Sequence, residues 1–126
     1  MKGWGMPFLW VALGAIPGAL LRWGLSSTVA ANTLGCFVFG AAGLLDSPPS
    51  RRRWLVGVGF ASSLTTFSSW ILELMRHLEA GQWGVLLGQI LRDGALGLGA
   101  LQLGATLHRR LQRRSAFSGW GSGFRR

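Results

Sequence analysis

The sequence has little of what a secreted or water-soluble domain requires. Cys36 is the only cysteine, so a disulfide framework within the chain is excluded. Only 4 residues are acidic, and charged residues make up 13% of a 126-residue chain that is 49% hydrophobic. This composition excludes disorder of the whole chain and argues against a soluble core. A Cys/His pair and clustered carboxylates are also lacking, so enzyme chemistry finds no support.

What the sequence does contain is a series of long apolar segments. Each is long enough to cross the roughly 30 Å hydrocarbon core of a bilayer as a helix. The fourth is interrupted by Arg92 and Asp93, but its two halves are too short to cross alone. The sequence therefore predicts an all-α membrane protein with four transmembrane helices. The predicted spans cover residues 4–25, 28–45, 54–75 and 83–107.

The connections between these segments are short and polar. Residues 26–27 predict a tight turn, residues 46–53 a loop rich in Pro and Arg, and residues 76–82 a third connection. Short connections make consecutive spans antiparallel, so residues 1–108 are predicted to form one compact bundle. The tail over residues 109–126 is basic and rich in Gly and Ser, and we predict that it is disordered.

Basic residues are distributed unevenly about the four segments. Arg22 and Arg76 fall on one side of the bundle, and Arg92 lies within the fourth segment. Because cytoplasmic loops carry an excess of Lys and Arg, both termini are predicted to be cytoplasmic in a multi-pass protein of the inner (plasma) membrane. Topology already accounts for these charges, so no nucleic-acid partner is expected. The opposite side carries Lys2, Arg51, Arg52, Arg53, Arg109, Arg110, Arg113, Arg114, Arg125 and Arg126.

Polar side chains inside the apolar segments are the candidate functional residues. The third segment has six hydroxyls between Ser62 and Ser69, a density that favours a polar path or a break in the helix. Asn32 lies in the middle of the second segment, where its amide needs a partner helix or an anion. Gln89 and Asp93 are one helical turn apart, so they share a stripe of the fourth segment.

Three stretches of the chain resemble signature stretches of the CrcB/Fluc fluoride channel family. They are GAIPGALLRW at residues 14–23, TVAANTLG at residues 28–35 and GFASSLTTFSSW at residues 59–70. Their order and spacing also match, and the resemblance covers residues from about 12 to 107, with TTFS at 65–68 the most specific part. The resemblance implies a passive channel that lowers cytoplasmic fluoride.

The resemblance also implies an assembly and a set of site residues. Family members are antiparallel dimers whose third helix is broken mid-membrane, with two pores between subunits and a central sodium ion. Arg22 would lie at the vestibule, and backbone carbonyls of Ser62 and Thr65 would hold the sodium. The residues implied to line the pore and bind fluoride are Asn32, Thr66, Phe67, Ser68, Ser69, Trp70, Gln89 and Asp93.

The chain departs from the family pattern at three places. Trp70 replaces a phenylalanine and adds an N–H donor that could meet an anion. Residues 62–63 are serines where the family usually has a glycine pair, which affects the sodium site. Asp93 replaces a small polar residue, and its carboxylate would repel fluoride unless it is protonated or paired with an arginine, either Arg92 or Arg22.

Two other functions fit the size and topology of the chain. A small four-helix multidrug-type transporter would need a carboxylate in its first span, but the first acidic residue is Asp46, in a loop. A non-transporting membrane scaffold would fit the glycine pattern and would leave Asn32 and the hydroxyl cluster unexplained.

The charge bias conflicts with dual insertion, so the antiparallel partner is either a second copy or a homologous chain of reversed bias. Membrane lipid is the remaining expected partner.

Overall fold

The computed structural model describes residues 5–44 and 50–120, and every regular element in these residues is helical. The first two helices are α1, Gly5–Leu25, and α2, Thr28–Ala41. Helix α3 is π-helical over Arg53–Ala61 and α-helical over Ser62–Leu64. The last two are α4, Phe67–Glu79, and α5, Trp83–Trp120.

Three helical segments are long and apolar enough to cross a membrane. They are Pro7–Leu25, Arg53–Glu79, in which α3 and α4 are counted together, and Trp83–Arg114. Helix α2 is apolar but has only 14 residues, a rise of about 21 Å. The part of the chain that the structure describes therefore contains four apolar helical segments, three of which have the length of a full span.

Large apolar side chains lie on the outside of the bundle and small residues lie within it. Among the large side chains whose burial the structure describes, only Leu44 and Leu64 are fully buried, whereas Phe8 is 69% exposed and Leu91 is 73% exposed. Water-soluble proteins rarely expose so much contiguous apolar surface. The distribution suits a chain whose outer surface is solvated by lipid.

Glycine allows the helices to approach one another closely. A Cβ atom at Gly14 would lie 2.0 Å from a backbone carbonyl oxygen of α3, and one at Gly18 would lie 2.4 Å from another. A Cβ atom at Gly40 of α2 would lie 2.2 Å from a carbonyl oxygen of α5, and one at Gly104 of α5 would lie 2.4 Å from a carbonyl oxygen of α2. Small residues provide this contact where lipid supplies no hydrophobic drive for association. Helix α1 thus packs on α3, and α2 packs on α5.

Two helix ends differ from the prediction. Helix α2 stops at Ala41 because Gly43 adopts a φ of +67°, with the His108 ring packed where its side chain would be. Helix α5 does not end near residue 107 but continues through the arginines to Trp120, so residues 109–120 of the expected disordered tail are helical. Arginine is a good helix former, and no proline lies in this stretch. The predictions for Lys2, for residues 46–49 of the loop and for residues 121–126 of the tail fall outside the described residues.

Candidate functional site

The third predicted span is interrupted at Thr65 and Thr66, which both have extended backbone between α3 and α4. Both residues are β-branched, which suits extended backbone. The Thr65 N–H still donates to the Ala61 carbonyl at 3.0 Å, as in a helix. The Thr66 N–H donates instead to Oδ1 of Asn32 at 2.6 Å. Its helical acceptor, four residues earlier, would have been the carbonyl of Ser62, and that carbonyl is therefore released from the helix.

Asn32 of α2 holds the interrupted backbone from both sides. Its Nδ2 donates to the Thr66 carbonyl at 3.1 Å, while its Oδ1 accepts from the Thr66 N–H. Thr66 is buried, so these backbone groups would lack partners without Asn32. A side-chain amide has two N–H donors, and the Thr66 contact uses one of them. Asn32 therefore both shapes the break and keeps one donor for another acceptor.

A chain of hydroxyls joins the start of α4 to α1. The Thr66 Oγ1 caps α4 by accepting from the Ser69 N–H at 3.3 Å, and it donates to the Ser69 Oγ at 3.1 Å. The Ser68 Oγ lies 3.4 Å from the Thr66 Oγ1. From α1, Nη2 of Arg22 donates to the Ser69 Oγ at 3.1 Å. Arg22 thus brings a positive charge to the hydroxyl cluster.

Two cavities adjoin the contact between Asn32 and Thr66. The larger has a volume of about 350 Å³ and is lined by Thr66, Ser69 and Arg22 among others. The smaller, of about 160 Å³, is lined by Asn32, Trp70 and Asp93 together with Val29, Thr33 and Gly94. Both cavities open to the surface of the single chain. The contact between Asn32 and Thr66 therefore stands between two open spaces lined with polar groups.

The aromatic pair of α4 lies beside these hydroxyls. The ring centroids of Phe67 and Trp70 are 5.8 Å apart, with planes inclined at 43°. Phe67 is 72% exposed in the single chain, so it projects outwards from the bundle. The Trp70 Nε1–H donates to Oδ2 of Asp93 at 2.9 Å. The indole N–H, which the sequence analysis considered as a donor to an anion, donates to a carboxylate in the single chain.

Of the two arginines considered as partners of Asp93, Arg92 is the one that contacts it. The carboxylate Oδ1 lies 2.8 Å from Nε of Arg92, whereas Arg22 is directed to Ser69. The side chain of Asp93 is 11% exposed and that of Arg92 is 57% exposed. Each carboxylate oxygen thus has its own partner, one a guanidinium and the other an indole.

Glu73 is a site residue that the sequence analysis missed. Its Oε2 accepts from Nε2 of Gln89 at 3.1 Å, and its Oε1 accepts from the Thr28 hydroxyl. Gln89 is buried and is therefore joined to Glu73, not to Asp93. A carboxylate within an apolar helix, one turn after Trp70, is the signal that would have identified it.

The residues of the expected sodium site form a separate cluster. The Ser62 hydroxyl donates to the Gly57 carbonyl at 3.1 Å, and the Thr65 hydroxyl donates to the Ser62 carbonyl at 3.3 Å. Ser62 and Thr65 line a cavity of about 220 Å³ together with Gly35, Cys36, Phe39, Ala61 and Leu101. Hard cations bind oxygen, and a carbonyl released from a helix is a suitable donor. The Ser62 carbonyl, which lacks its helical N–H, fits such an ion.

Comparison with known proteins identifies related sequences along most of the chain. Residues 9–105 match the profile of the family described as "CrcB-like protein, Camphor Resistance (CrcB)". A protein named "Fluoride-specific ion channel FluC 2" from Parasynechococcus marenigrum (strain WH8102) is 53% identical over 108 residues, 82% of each chain. The protein of the same name from Synechococcus sp. (strain CC9605) is 48% identical over 111 residues, 85% of this chain and 84% of that one. "Fluoride-specific ion channel FluC" from Salinibacter ruber is 35% identical over 116 residues, 79% of this chain and 87% of that one.

Proposed function

The chain belongs to the CrcB-like family, and from that premise we propose that it is a fluoride-specific ion channel through which fluoride leaves the cytoplasm passively. The proposal is supported by relatives that carry this name and align over most of both chains. The structural observation that carries it is the row of hydrogen-bond donors at the interruption between α3 and α4. Asn32, Thr66 and Ser69 supply amide and hydroxyl groups within an otherwise apolar bundle.

These donors suit a small and strongly hydrated anion. A pore must replace the hydration shell of the ion, and N–H and O–H groups can do so without a fixed charge that would hold it too tightly. Arg22 concentrates anions at the larger cavity, and Asn32, whose amide has one further N–H, lines the smaller one. Ser68 and Ser69 supply hydroxyls along the start of α4.

The aromatic residues supply a second kind of anion contact. The edge of an aromatic ring is electropositive, so Phe67 and Trp70 can stabilise fluoride through their rims. Gln89 contributes its amide on the facing stripe of α5, where Glu73 orients it. Asp93 lines the path as a paired carboxylate whose charge Arg92 offsets. In this arrangement fluoride passes from charged to neutral donors and then to ring edges.

The proposed channel is an antiparallel dimer with its third span broken mid-membrane. Support for a second subunit comes from the family resemblance, and Phe67, which is 72% exposed beside the hydroxyls of Ser68 and Ser69, is the ring that the partner would cover. The excess of basic residues on one side supports a single preferred insertion, so the partner is either a second copy or a homologous chain of opposite bias. For the proposed location in the inner membrane, the same bias supports an orientation with both termini cytoplasmic.

A structural sodium ion belongs to the same proposal. The Ser62 and Thr65 carbonyls would hold it at the centre of the dimer, beside the interruption, where the Ser62 carbonyl has lost its helical N–H and accepts the Thr65 hydroxyl instead. Sodium would supply a fixed positive charge that stabilises the interrupted backbone. Ser62, which stands where the resembled family usually has a glycine, does not close the adjacent cavity, because its hydroxyl turns to the Gly57 carbonyl.

Anion efflux from liposomes tests the proposal. Liposomes holding the purified full chain, with a homologous partner chain if one is required, are loaded with potassium fluoride or potassium chloride, and valinomycin starts the release. We expect fluoride release well above chloride release, and neither from protein-free liposomes. Equal release of the two anions, or none from folded dimers, would reject the channel and leave the transporter and scaffold alternatives.

A further inference from the structure

Trp70 and Asp93 are two departures from the resembled family pattern that contact each other. They are separated by 23 residues of sequence and lie on different helices, yet the indole Nε1–H donates to the Asp93 Oδ2 at 2.9 Å. Both line the same cavity as Asn32. A tryptophan in place of phenylalanine adds one donor, and an aspartate in place of a small polar residue adds one acceptor. The two changes are therefore chemically complementary.

We infer that Asp93 is a positioning residue for Trp70: its carboxylate takes up the indole N–H, so that Trp70 meets the anion only through carbon-bound hydrogens. The inference rests on the proposed fluoride channel. It explains how a tryptophan can occupy an aromatic position of the path, because the hydrogen bond to Asp93 fixes the orientation of the indole and so keeps a ring edge, not the N–H, towards the anion. With that N–H engaged, Trp70 presents the same kind of edge as Phe67.

The position of the carboxylate is fixed from its other side. Arg92 binds Oδ1 while Trp70 binds Oδ2, so both oxygens are engaged and the side chain is held on two sides. The same guanidinium offsets the negative charge that would otherwise repel fluoride. Asp93 is 11% exposed, which strengthens both contacts relative to water. Because Trp70 lies 5.8 Å from Phe67 between ring centroids, fixing one ring also constrains the other.

Indole resonances test the pairing directly. In the full chain labelled with ¹⁵N-tryptophan in nanodiscs, the 7 tryptophans give indole N–H signals, and Trp70→Phe identifies the signal of Trp70. We expect Asp93→Ala to move that proton signal upfield, because a hydrogen bond to a carboxylate is lost. Asp93→Asn, which keeps an acceptor oxygen, is expected to move it less. Glu79→Ala, which removes an exposed carboxylate from the end of α4, is the matched control. An unchanged Trp70 signal in Asp93→Ala would overturn the inference.

Fluoride efflux then tests what the pairing is for. We expect Asp93→Ala to lower fluoride efflux by about tenfold, the scale of one hydrogen bond to a charged group. In Trp70→Phe/Asp93→Ala no indole needs an acceptor, so we expect efflux several-fold above that of Asp93→Ala alone. Equal or lower efflux in the double variant would overturn the positioning role and leave the channel in place. Absence of fluoride efflux from the unmodified chain would reject the proposed function, whereas the indole signals judge the pairing by themselves.

Discussion

The two halves of the third span are held in different ways. Helix α3 is fixed by backbone contact, because its carbonyl oxygens lie so close to Gly14 and Gly18 of α1 that no Cβ atom fits between them. Helix α4 is fixed by polar pairs, since Asn32 holds Thr66 and Asp93 holds Trp70. The first half resists any added atom, whereas the second half depends on particular hydrogen-bonding groups. Packing builds the scaffold, and hydrogen bonding builds the candidate path.

Adding one methyl group to the packed half is expected to have the largest effect. In Gly14→Ala the new Cβ would lie 2.0 Å from the Leu55 carbonyl oxygen, so α1 and α3 must separate. We expect a loss of about 1–3 kcal/mol in stability, or failure to fold. Thermal unfolding in detergent measures it. Gly24→Ala is the matched control, because that position of α1 faces open space. Equal stability of the two variants would contradict the packing described for α3.

Changing the amide that holds the interruption is expected to reduce conduction more strongly than it reduces stability. In Asn32→Asp the donor to the Thr66 carbonyl is replaced by a negative oxygen that also repels fluoride. We expect fluoride efflux to fall by roughly a hundredfold, equivalent to about 2–3 kcal/mol. Gln82→Glu makes the same chemical change in the exposed connection between α4 and α5. If both variants conduct like the unmodified chain, Asn32 is not part of the path.

Replacing the outward aromatic ring tests whether α4 lines a path or faces lipid. Phe67→Ile keeps an apolar side chain but removes the electropositive ring edge, and we expect fluoride efflux to fall by about tenfold. Phe8→Ile is the control, because Phe8 has nearly the same exposure, 69% against 72%, on α1. A similar response of both variants would indicate that Phe67 only contacts lipid.

The vestibule charge is expected to have the smallest effect. In Arg22→Gln the guanidinium that donates to Ser69 is lost, and entry of anions into the larger cavity slows. We expect efflux to fall by about two- to fivefold at low ionic strength and less at high salt, because salt screens the charge. Arg76→Gln, at an exposed arginine of α4, is the control. A reduction that does not depend on salt would assign Arg22 a structural role instead.

The parts of this architecture that follow local rules were predictable from sequence. Apolar length located the helices, and the hydroxyl cluster drew attention to residues 62–69, where Thr65 and Thr66 have extended backbone. Asn32 was identified because an amide in an apolar segment requires a partner. That its partner is the backbone of Thr66 depends on how α2 packs beside the interruption, which no local pattern encodes.

Three features were not predicted, two because they depend on tertiary contacts and one because composition concealed a local propensity. Glu73 lies just beyond the charge-free part of the third segment and was overlooked, although it binds Gln89. The early end of α2 follows from the contact between Gly43 and His108, residues far apart in sequence. The long continuation of α5 follows from local helix propensity, which the glycine-rich and basic composition of the tail concealed. Composition describes a segment on average, whereas the first two outcomes depend on contacts between individual distant residues and the third on the helix propensity of individual residues.

The most direct test of the account is the reversal potential of the channel under bi-ionic conditions. With fluoride on one side of a planar bilayer and chloride on the other, at equal concentrations, the potential at which the current reverses is set by the ratio of the two permeabilities. If amide, hydroxyl and ring-edge groups replace the hydration shell of fluoride selectively, the reversal potential lies far from zero, with the fluoride side positive. A reversal potential near zero, which means equal permeability to both anions, would contradict the account.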